Sequence, residues 1–308
     1  MRGRRPGYRK LQCVESGEPP ILAPAVEGRF QAGTIHGVDL IHSSPSAIPP
    51  FPAGQRGMTL PKTPAVKLSK PFLGFYRLHP GYCPICRTLT VFLAPKVWLR
   101  DHYYCYRCKS IPRYRALIDV LEKSFPRWRT SLAVHESSPC GAASDFIARE
   151  CLRYTATHFF PDVEPGGMQY GFRSENLEAQ TFPDGAFDLV ITQDVFEHIL
   201  HPGKAFAEIA RTLKPGGAHL FTVPWYHWRK TETRAAERGG TIVNLLPPVY
   251  HGNPIDASGS LVVTDWGSDM ADFILRESNL ATRFVRIRNP WKGIEAEFIE
   301  VFISTKPD

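Results

Sequence analysis

The sequence has no long apolar run and no apolar leader. A membrane-spanning helix needs roughly 18 or more mostly apolar residues, and no stretch of the chain approaches that length. The basic start contains Arg4 and Arg5, but no apolar segment of a secretion signal follows it. We therefore expect no membrane partner and a cytoplasmic location.

Cysteine is also scarce. Seven cysteines in 308 residues do not suggest a disulfide scaffold. The apolar fraction of 43% is ordinary for a globular protein, which argues against a wholly disordered or fibrous chain. The length allows one large domain and one smaller unit, with a core of useful size.

Acidic residues are sparse in the front half. Residues 1–130 contain 21 Lys and Arg against 7 Asp and Glu, whereas residues 131–308 contain 16 against 23. Residues 1–70 also hold ten of the 28 prolines and can hardly bury enough apolar surface to offset the entropy of ordering. We predict a Pro-rich, basic, disordered arm at 1–70. The basic front half fits either a solvated arm or a polyanionic partner.

Four of the cysteines form two CxxC pairs, Cys83-Pro-Ile-Cys86 and Cys105-Tyr-Arg-Cys108, with 18 residues between them. A CxxC turn directs two thiolates at one point, so two such turns supply four sulfur ligands for a tetrahedral ion. A redox pair, which needs only one CxxC, and an iron site are the alternatives. We predict a structural zinc module over residues 71–109.

Short apolar strands alternate with helices in the rest of the chain. The segment 110–125 predicts a helix with Ser110 as its cap. The continuous apolar run at 187–192 is typical of a strand buried on both faces of a parallel sheet. Residues 202–213 carry apolar side chains at helical spacing. The further predicted strands are 131–136, 154–160, 167–172 and 218–224, and the further predicted helix is 143–152.

The tail predicts a helix near 269–278 and then two strands, 281–287 and 297–304. The pattern as a whole predicts an α/β fold over residues 110–308, with a Rossmann-like, doubly wound sheet that ends in an antiparallel hairpin. A small zinc-ribbon-like module and the disordered arm precede it.

Residues 181–199 and 213–225, TFPDGAFDLVITQDVFEHI and LKPGGAHLFTVPW, carry a family pattern. They resemble the class I S-adenosylmethionine-dependent methyltransferases of the type 11 group. Some members of that group also carry a CPxC and CxxC module that leads into a Ser-x-x-Arg-x-Arg helix, here Ser110, Arg113 and Arg115. The resemblance covers about residues 131–225 and the tail more loosely. It implies methyl transfer from S-adenosylmethionine.

By position, the resemblance also implies a cofactor site. The loop after the first strand would wrap the methionine end, the residues before the fourth strand would contact the adenine, and the end of the fourth strand would lie beside the sulfonium. The cofactor-binding residues implied in this way are Glu136, Ser137, Ser138, Pro139, Gly141, His158, Asn176, Leu177, Thr192, Gln193 and Asp194.

The sequence departs from the family pattern at two places. The first loop is usually glycine-rich because its backbone approaches the ligand closely, whereas here only Gly141 remains and Pro139 stiffens the turn. The second strand usually ends in a carboxylate that accepts the ribose hydroxyls, whereas His158 stands there and Asp162 follows. A non-catalytic scaffold that kept the sheet but lost the cofactor is therefore an alternative.

The segment 225–263 is long, aromatic and rich in histidine. In this fold it lies over the carboxyl edge of the sheet, so it is predicted to be a substrate lid. His251 and then His227 are the candidate catalytic residues, as general bases for a hydroxyl or a protonated amine. The alternative is that these histidines only pack the lid.

The favoured partner is a small-molecule acceptor such as a metabolite, a sugar or a natural-product intermediate. RNA is the alternative partner, because aromatic and basic residues interleave next to the second CxxC. Those residues are Arg100, Tyr103, Tyr104, Tyr106, Arg107 and Lys109. The sequence does not specify the acceptor atom or the oligomeric state.

Overall fold

The computed structural model describes residues 76–253 and 255–308. The predicted arm at 1–70 lies outside the described residues, as do residues 71–75 of the predicted zinc module. Within the described ranges, no helix is both long and apolar enough to cross a membrane.

The cysteine-bearing segment forms a small antiparallel sheet, called here the cysteine module. Its elements are β1 (Arg77–Cys83), β2 (Thr88–Ala94), α1 (Leu99–His102) and β3 (Tyr104–Cys105). The central strand β2 pairs with both β1 and β3. This pairing brings the turn that carries the first CxxC next to the strand in which the second CxxC begins.

The next part of the chain contains most of the large sheet. Its elements are α2 (Pro112–Ser124), β4 (Ala133–Ser137), α3 (Gly141–Glu150), β5 (Arg153–His158), β6 (Met168–Gln169), β7 (Phe172–Ser174), β8 (Phe187–Gln193), a 3₁₀ helix (Phe196–His198), α4 (Pro202–Thr212) and β9 (Leu213–Thr222).

The lid and the tail complete the chain. The lid strands are β10 (Trp225–Tyr226), β11 (Glu232–Thr233), β12 (Ala235–Arg238), β13 (Thr241–Asn244), β14 (Tyr250–His251), β15 (Ser260–Leu261) and β16 (Thr264–Gly267). The tail consists of α5 (Met270–Ser278), β17 (Ala281–Val285), a second 3₁₀ helix (Pro290–Lys292) and β18 (Val301–Thr305).

Eight strands form one sheet in the order β17-β18-β9-β8-β4-β5-β7-β6. β4, β5, β7, β8 and β9 are parallel, and β17, β18 and β6 add antiparallel edges. This arrangement confirms the α/β, Rossmann-like fold and the antiparallel hairpin at its end. The carboxyl ends of the parallel strands all meet at one edge, where α/β proteins bind ligands.

Helices cover both faces of the sheet. Leu117 of α2 and Phe146 of α3 are buried on one face, and Phe206 of α4 and Ile274 of α5 are buried on the other. The first of these cores continues into the cysteine module, where it includes Phe92. The module is therefore held against the sheet by a shared apolar core.

Local patterns explain most of the elements. β8 is buried on both faces, since Leu189, Val190 and Ile191 are all 0% exposed, as its apolar run predicted. The segment 167–172 was predicted to be one strand, but Tyr170 and Gly171 have positive φ and turn the chain, so β6 and β7 form a hairpin. The last strand begins at Val301 and is shorter than predicted.

The prediction that Ser110 caps α2 is wrong. The helix begins at Pro112, the N-cap is Ile111, and no side chain caps it. The hydroxyl of Ser110 lies 3.5 Å from the sulfur of Cys83 and 3.2 Å from that of Cys108. Ser110 therefore belongs to the cysteine cluster, which the helical pattern alone does not reveal.

Candidate active site

A cavity of about 630 Å³ lies at the carboxyl edge of the parallel strands. Ser138, His158 and Asp194 line it, and each stands at or directly after the end of β4, β5 or β8. Tyr250 and His251 of the lid line another side. Cofactor and substrate sites in proteins are concave, have this size and occur at this edge of α/β sheets.

The cysteine module forms a further wall of the cavity. Trp98 and Arg100 near α1, Tyr104 of β3 and Lys109 after the second CxxC all line it. The module is therefore a structural part of this site and not a separate appendage.

The eleven residues that the family resemblance implied divide into two groups. Ser138, Gly141, His158, Gln193 and Asp194 line the cavity. Glu136, Ser137, Pro139, Asn176, Leu177 and Thr192 are not among the lining residues.

Glu136 lies at the end of β4, and its carboxylate points into a hydrogen-bond network. It accepts from the hydroxyl of Ser144 at 2.6 Å, from the hydroxyl of Tyr154 at 2.7 Å and from Nε2 of Gln193 at 2.7 Å. Burial raises the pKa of Glu136, and the three donors oppose that change. The carboxylate thus joins β4, α3, β5 and β8 beneath the first loop.

The first loop bends sharply despite having few glycines. Ser138 has φ of 55° and Gly141 has φ of 76°. A Cβ added at Gly141 would lie 2.7 Å from the ring of Tyr114. Glycine is required here by its positive φ and by the packing of Tyr114, a residue of α2, in addition to any approach of a ligand.

His158 replaces the usual carboxylate at the end of β5. Its side chain is 1% exposed, Nε2 has no hydrogen-bond partner, and the ring bonds to the backbone of Pro139. Because proline has no N–H, the ring must donate to the Pro139 carbonyl oxygen, which places the proton on Nδ1. Burial lowers the pKa of His158 to about 4, so the ring is neutral and Nε2 can accept a hydrogen bond.

Asp194 follows β8 with φ of 52° and is held by arginines of α1 and α2. Its carboxylate accepts from Nη2 of Arg100 at 2.7 Å, pairs with Nε of Arg113 at 3.1 Å, and accepts from the hydroxyl of Thr222 at 2.9 Å. Burial alone would raise the pKa of Asp194, but the two guanidinium groups outweigh it and hold the pKa well below its usual range. Arg100 and Arg113 thus clamp one end of the cavity.

The residues expected near the adenine and the sulfonium include three that are already engaged. The side-chain oxygen of Asn176 accepts from the backbone N–H of Glu178 at 2.9 Å. Leu177 is buried in the core. The hydroxyl of Thr192 lies 2.9 Å from Nε2 of His219 inside the sheet.

The two candidate catalytic histidines lie in different places. His251 of β14 lines the cavity, whereas His227 does not. His227 is exposed and its ring contacts Trp225 and Trp228. Of the two candidates, His251 is therefore the one that borders the cavity.

The sequence interpretation missed a cluster of Glu197, His198 and His251. One ligand atom from each lies within 4.8 Å of the others. The family pattern contains the Glu-His pair, but nothing in the sequence connects it with a residue of the lid more than 50 positions later.

The four cysteines converge on one point. The sulfur atoms of Cys83 and Cys108 are 3.6 Å apart, and those of Cys86 and Cys105 are 3.8 Å apart. The two turns have the same form: the N–H of Arg87 donates to the carbonyl of Cys83 at 2.8 Å, and the N–H of Lys109 donates to that of Cys105 at 2.9 Å. Arg87 and Lys109 also share a positive φ, of 53° and 59°.

Of the residues expected to interleave on an RNA-binding surface, Arg100 and Tyr103 are buried, whereas Tyr106, Arg107 and Lys109 are exposed. Tyr103 is 0% exposed and Arg100 is 6% exposed, because they pack into the core and bind Asp194 respectively. Tyr106 remains exposed at 64%, with the ammonium of Lys109 5.3 Å from its ring centre. The structure thus removes part of the basis for the RNA interpretation.

Comparisons with known proteins agree with this geometry. Residues 141–221 match the protein-family model described as "Methyltransferase domain". A Ubiquinone biosynthesis O-methyltransferase from Caulobacter vibrioides is 30% identical over 102 residues, which are 32% of this chain and 38% of that protein. The match therefore spans well under half the length of the curated relative.

Two solved structures are also similar. The 1,6-didemethyltoxoflavin-N1-methyltransferase of Burkholderia thailandensis is 16% identical, with 64% of this chain and 79% of that chain covered and a TM-score of 0.39. The amino pentose methyltransferase CalS10 of Micromonospora echinaspora is 14% identical, with 63% and 91% covered and a TM-score of 0.39. The family match and the curated relative indicate that residues 141–221 belong to a methyltransferase domain.

Proposed function

We propose that the protein transfers the methyl group of S-adenosylmethionine to a small molecule bound in the same cavity. The observation that carries this proposal is that one cavity of about 630 Å³ joins the ends of β4, β5 and β8 to the lid. Methyl transfer is an in-line displacement at the sulfonium carbon, so the protein has mainly to hold donor and acceptor in contact. A shared cavity supports that task.

The cofactor is proposed to lie along the strand ends. Ser138 and Gly141 would face its methionine part, Nε2 of His158 would accept a ribose hydroxyl, and Gln193 and Asp194 would lie near the sulfonium. Glu136 would act indirectly by holding Gln193. Ser137, Pro139, Asn176, Leu177 and Thr192 would contribute backbone groups or support the wall.

The acceptor is proposed to lie against the lid. His251 is the first candidate to accept a proton from an acceptor hydroxyl or amine, and His227 is the second. Aromatic and apolar side chains around His251 suit a small organic molecule. The curated relative is named as an O-methyltransferase, so acceptors with hydroxyl groups are the first to test.

A structural zinc ion is proposed at Cys83, Cys86, Cys105 and Cys108. Zinc–sulfur bonds of about 2.3 Å in a tetrahedron place neighbouring sulfur atoms about 3.8 Å apart. The sulfur separations of 3.6 Å and 3.8 Å fit this geometry. Arg115 is fully buried beside the cluster, and its positive charge suits four thiolates around one zinc ion. With four protein ligands the ion would have no open position, so its role would be structural.

Calorimetry with S-adenosylmethionine and S-adenosylhomocysteine tests the cofactor part of the proposal. We expect one molecule to bind per chain. A screen of hydroxyl- and amine-bearing small molecules, read out by formation of S-adenosylhomocysteine, then tests the acceptor part. Absence of cofactor binding would favour the scaffold alternative, and turnover of RNA but of no small molecule would favour the nucleic-acid alternative.

A further inference from the structure

Glu197, His198 and His251 form a cluster at the lid end of the cavity, called here the Glu-His-His cluster. Glu197 and His198 belong to the 3₁₀ helix that follows β8, and His251 belongs to β14 of the lid. Both histidines line the cavity. The cluster is distinct from the four cysteines and from the strand ends where the cofactor is proposed to bind.

Glu197 is a buried carboxylate without a hydrogen bond. Its side chain is 2% exposed, and neither carboxylate oxygen has a hydrogen-bond partner. Among the described residues, its ion-pair distances are to His198 and His251 and to no lysine or arginine. A buried unpaired carboxylate costs several kcal/mol, so this position favours a bound positive charge.

His198 presents a lone pair to that carboxylate. Its Nδ1 lies 2.8 Å from the carbonyl oxygen of Leu261 and therefore carries the proton. With the proton on Nδ1, Nε2 of the neutral tautomer is an acceptor. Nε2 lies 3.8 Å from Oε1 of Glu197, and two acceptors that face each other repel unless a cation lies between them.

His251 completes the set from the lid. Its Nδ1 lies 3.6 Å from the same oxygen of Glu197, and the ligand atoms of all three residues lie within 4.8 Å of one another. Metal–ligand bonds of about 2.1 Å hold neighbouring ligand atoms about 3.0 to 3.4 Å apart, so the two separations from Glu197 would have to shorten by about 0.2 to 0.8 Å. A histidine ligand that donates its other N–H to a backbone carbonyl, as His198 does, is the usual arrangement at metal sites.

We propose that the Glu-His-His cluster binds one divalent first-row metal ion, such as Mn²⁺, Fe²⁺, Co²⁺ or Zn²⁺, with open positions toward the cavity. Two imidazoles and one carboxylate suit these ions better than Mg²⁺ or Ca²⁺, which prefer oxygen ligands. With the ion bound, His251 would be a ligand and would not be free to act as a general base.

Manganese is the probe that separates this site from the four cysteines, since thiolates select softer ions. We would titrate the zinc-loaded full-length chain with Mn²⁺ in the absence of S-adenosylmethionine and acceptor, and measure free Mn²⁺ by electron paramagnetic resonance. The expected result is one Mn²⁺ per chain. Glu197→Gln and His251→Ala should each weaken binding at least about tenfold, because removing a ligand costs more than removing an outer partner.

His201→Gln is the matched control, because His201 also pairs with a glutamate, Glu178, but lies outside the cavity. Circular dichroism and the thermal midpoint would show that each variant is folded, and His198→Gln would replace any variant that is not. Cobalt supplies a second readout, since a nitrogen and oxygen site and a four-sulfur site give different visible spectra.

Two outcomes would overturn the proposal: no Mn²⁺ or Co²⁺ bound outside the cysteines, or binding that survives both substitutions unchanged. Because the titration involves no methyl transfer, the proposed function and this proposal can fail separately.

Discussion

At the scale of single residues, the site depends on buried side chains whose protonation is set by their surroundings. His158 is neutral, its buried Nε2 has no hydrogen-bond partner, and the residue lines the cavity at the position where the family pattern has a carboxylate. A neutral acceptor can bond one ribose hydroxyl, whereas a carboxylate can accept from both. This substitution is therefore compatible with cofactor binding, and the strength of that binding should depend on His158.

We predict that His158→Ala weakens S-adenosylmethionine binding by about 5- to 150-fold, since a lost hydrogen bond at a buried site costs about 1–3 kcal/mol. Because burial holds the pKa of His158 at about 4, the affinity of the wild-type protein should be flat between pH 5.5 and 8. Calorimetry across this pH range measures the loss of affinity in the variant and the pH dependence of the wild-type affinity, with His201→Gln as the control. An unchanged affinity in the His158 variant would remove this residue from the cofactor site.

Replacing His251 and replacing His227 should affect catalysis differently, because only His251 lines the cavity. His251→Ala should lower kcat by about 10²- to 10⁴-fold while the affinity for S-adenosylmethionine is unchanged. His227→Ala should have a much smaller effect. The same loss is expected whether His251 accepts a proton or holds a cation, and the manganese titration separates these roles. A larger effect at His227 would reverse the assignment.

At the scale of elements, the cysteine module and the sheet share the site. Arg100 of α1 and Arg113 of α2 lie on either side of the second CxxC, and both reach Asp194 after β8. The position of the Asp194 side chain should therefore depend on the fold of the cysteine module. If the cysteine cluster becomes disordered, we expect Arg100 and Arg113 to hold Asp194 less firmly.

We predict that Cys83→Ser combined with Cys108→Ser loses the metal and also weakens S-adenosylmethionine binding by about tenfold, or about 1.4 kcal/mol. Cys151→Ser is the matched control, because Cys151 is buried behind α3 and its sulfur donates to the carbonyl of Trp128. Elemental analysis and calorimetry on the same preparations provide the two readouts. Zinc-free wild-type protein, or undiminished zinc in the double variant, would contradict the first part; unchanged affinity would contradict the second.

At the scale of the whole molecule, the sheet contains fully buried imidazoles. His135 of β4 and His219 of β9 are 0% exposed and are hydrogen-bonded to Thr157 and Thr192 respectively. Burial lowers the pKa of each to about 3. In the unfolded chain these groups titrate near pH 6.5, so below that pH the unfolded state binds more protons than the folded state.

The free energy of unfolding should therefore fall as the pH decreases from 7 to 5. Each of the two histidines should contribute a loss of about 2 kcal/mol over this interval, because its folded pKa lies well below the interval and its unfolded pKa lies within it. Urea unfolding at the two pH values measures the change in the free energy of unfolding. His219→Gln should reduce that change by about 2 kcal/mol, the contribution of one histidine. Equal stability at pH 7 and pH 5 would show that these imidazoles are protonated in the folded protein.

Local patterns in the sequence were sufficient for most of the elements and for the convergence of the four cysteines. Two CxxC pairs carry their geometry within a few residues, and the apolar run of β8 and the helical spacing of α4 depend only on neighbours in the chain. The family resemblance, carried over by position, implied that Ser138, His158 and Asp194 lie near one edge of the sheet, and all three line the cavity. The cap of α2 was mispredicted, because the hydroxyl of Ser110 is drawn to sulfur atoms that lie 25 residues apart.

The contacts that define the cavity were decided by the tertiary structure alone. Arg100 binds Asp194 across 94 positions of the chain, and His251 meets Glu197 from the lid. Such pairs depend on the order of the strands and on the path of the lid, and no periodicity or spacing encodes them. The residue types needed for chemistry can therefore be read from the sequence, whereas the choice of which side chains face one another is made only when the sheet brings its carboxyl ends together.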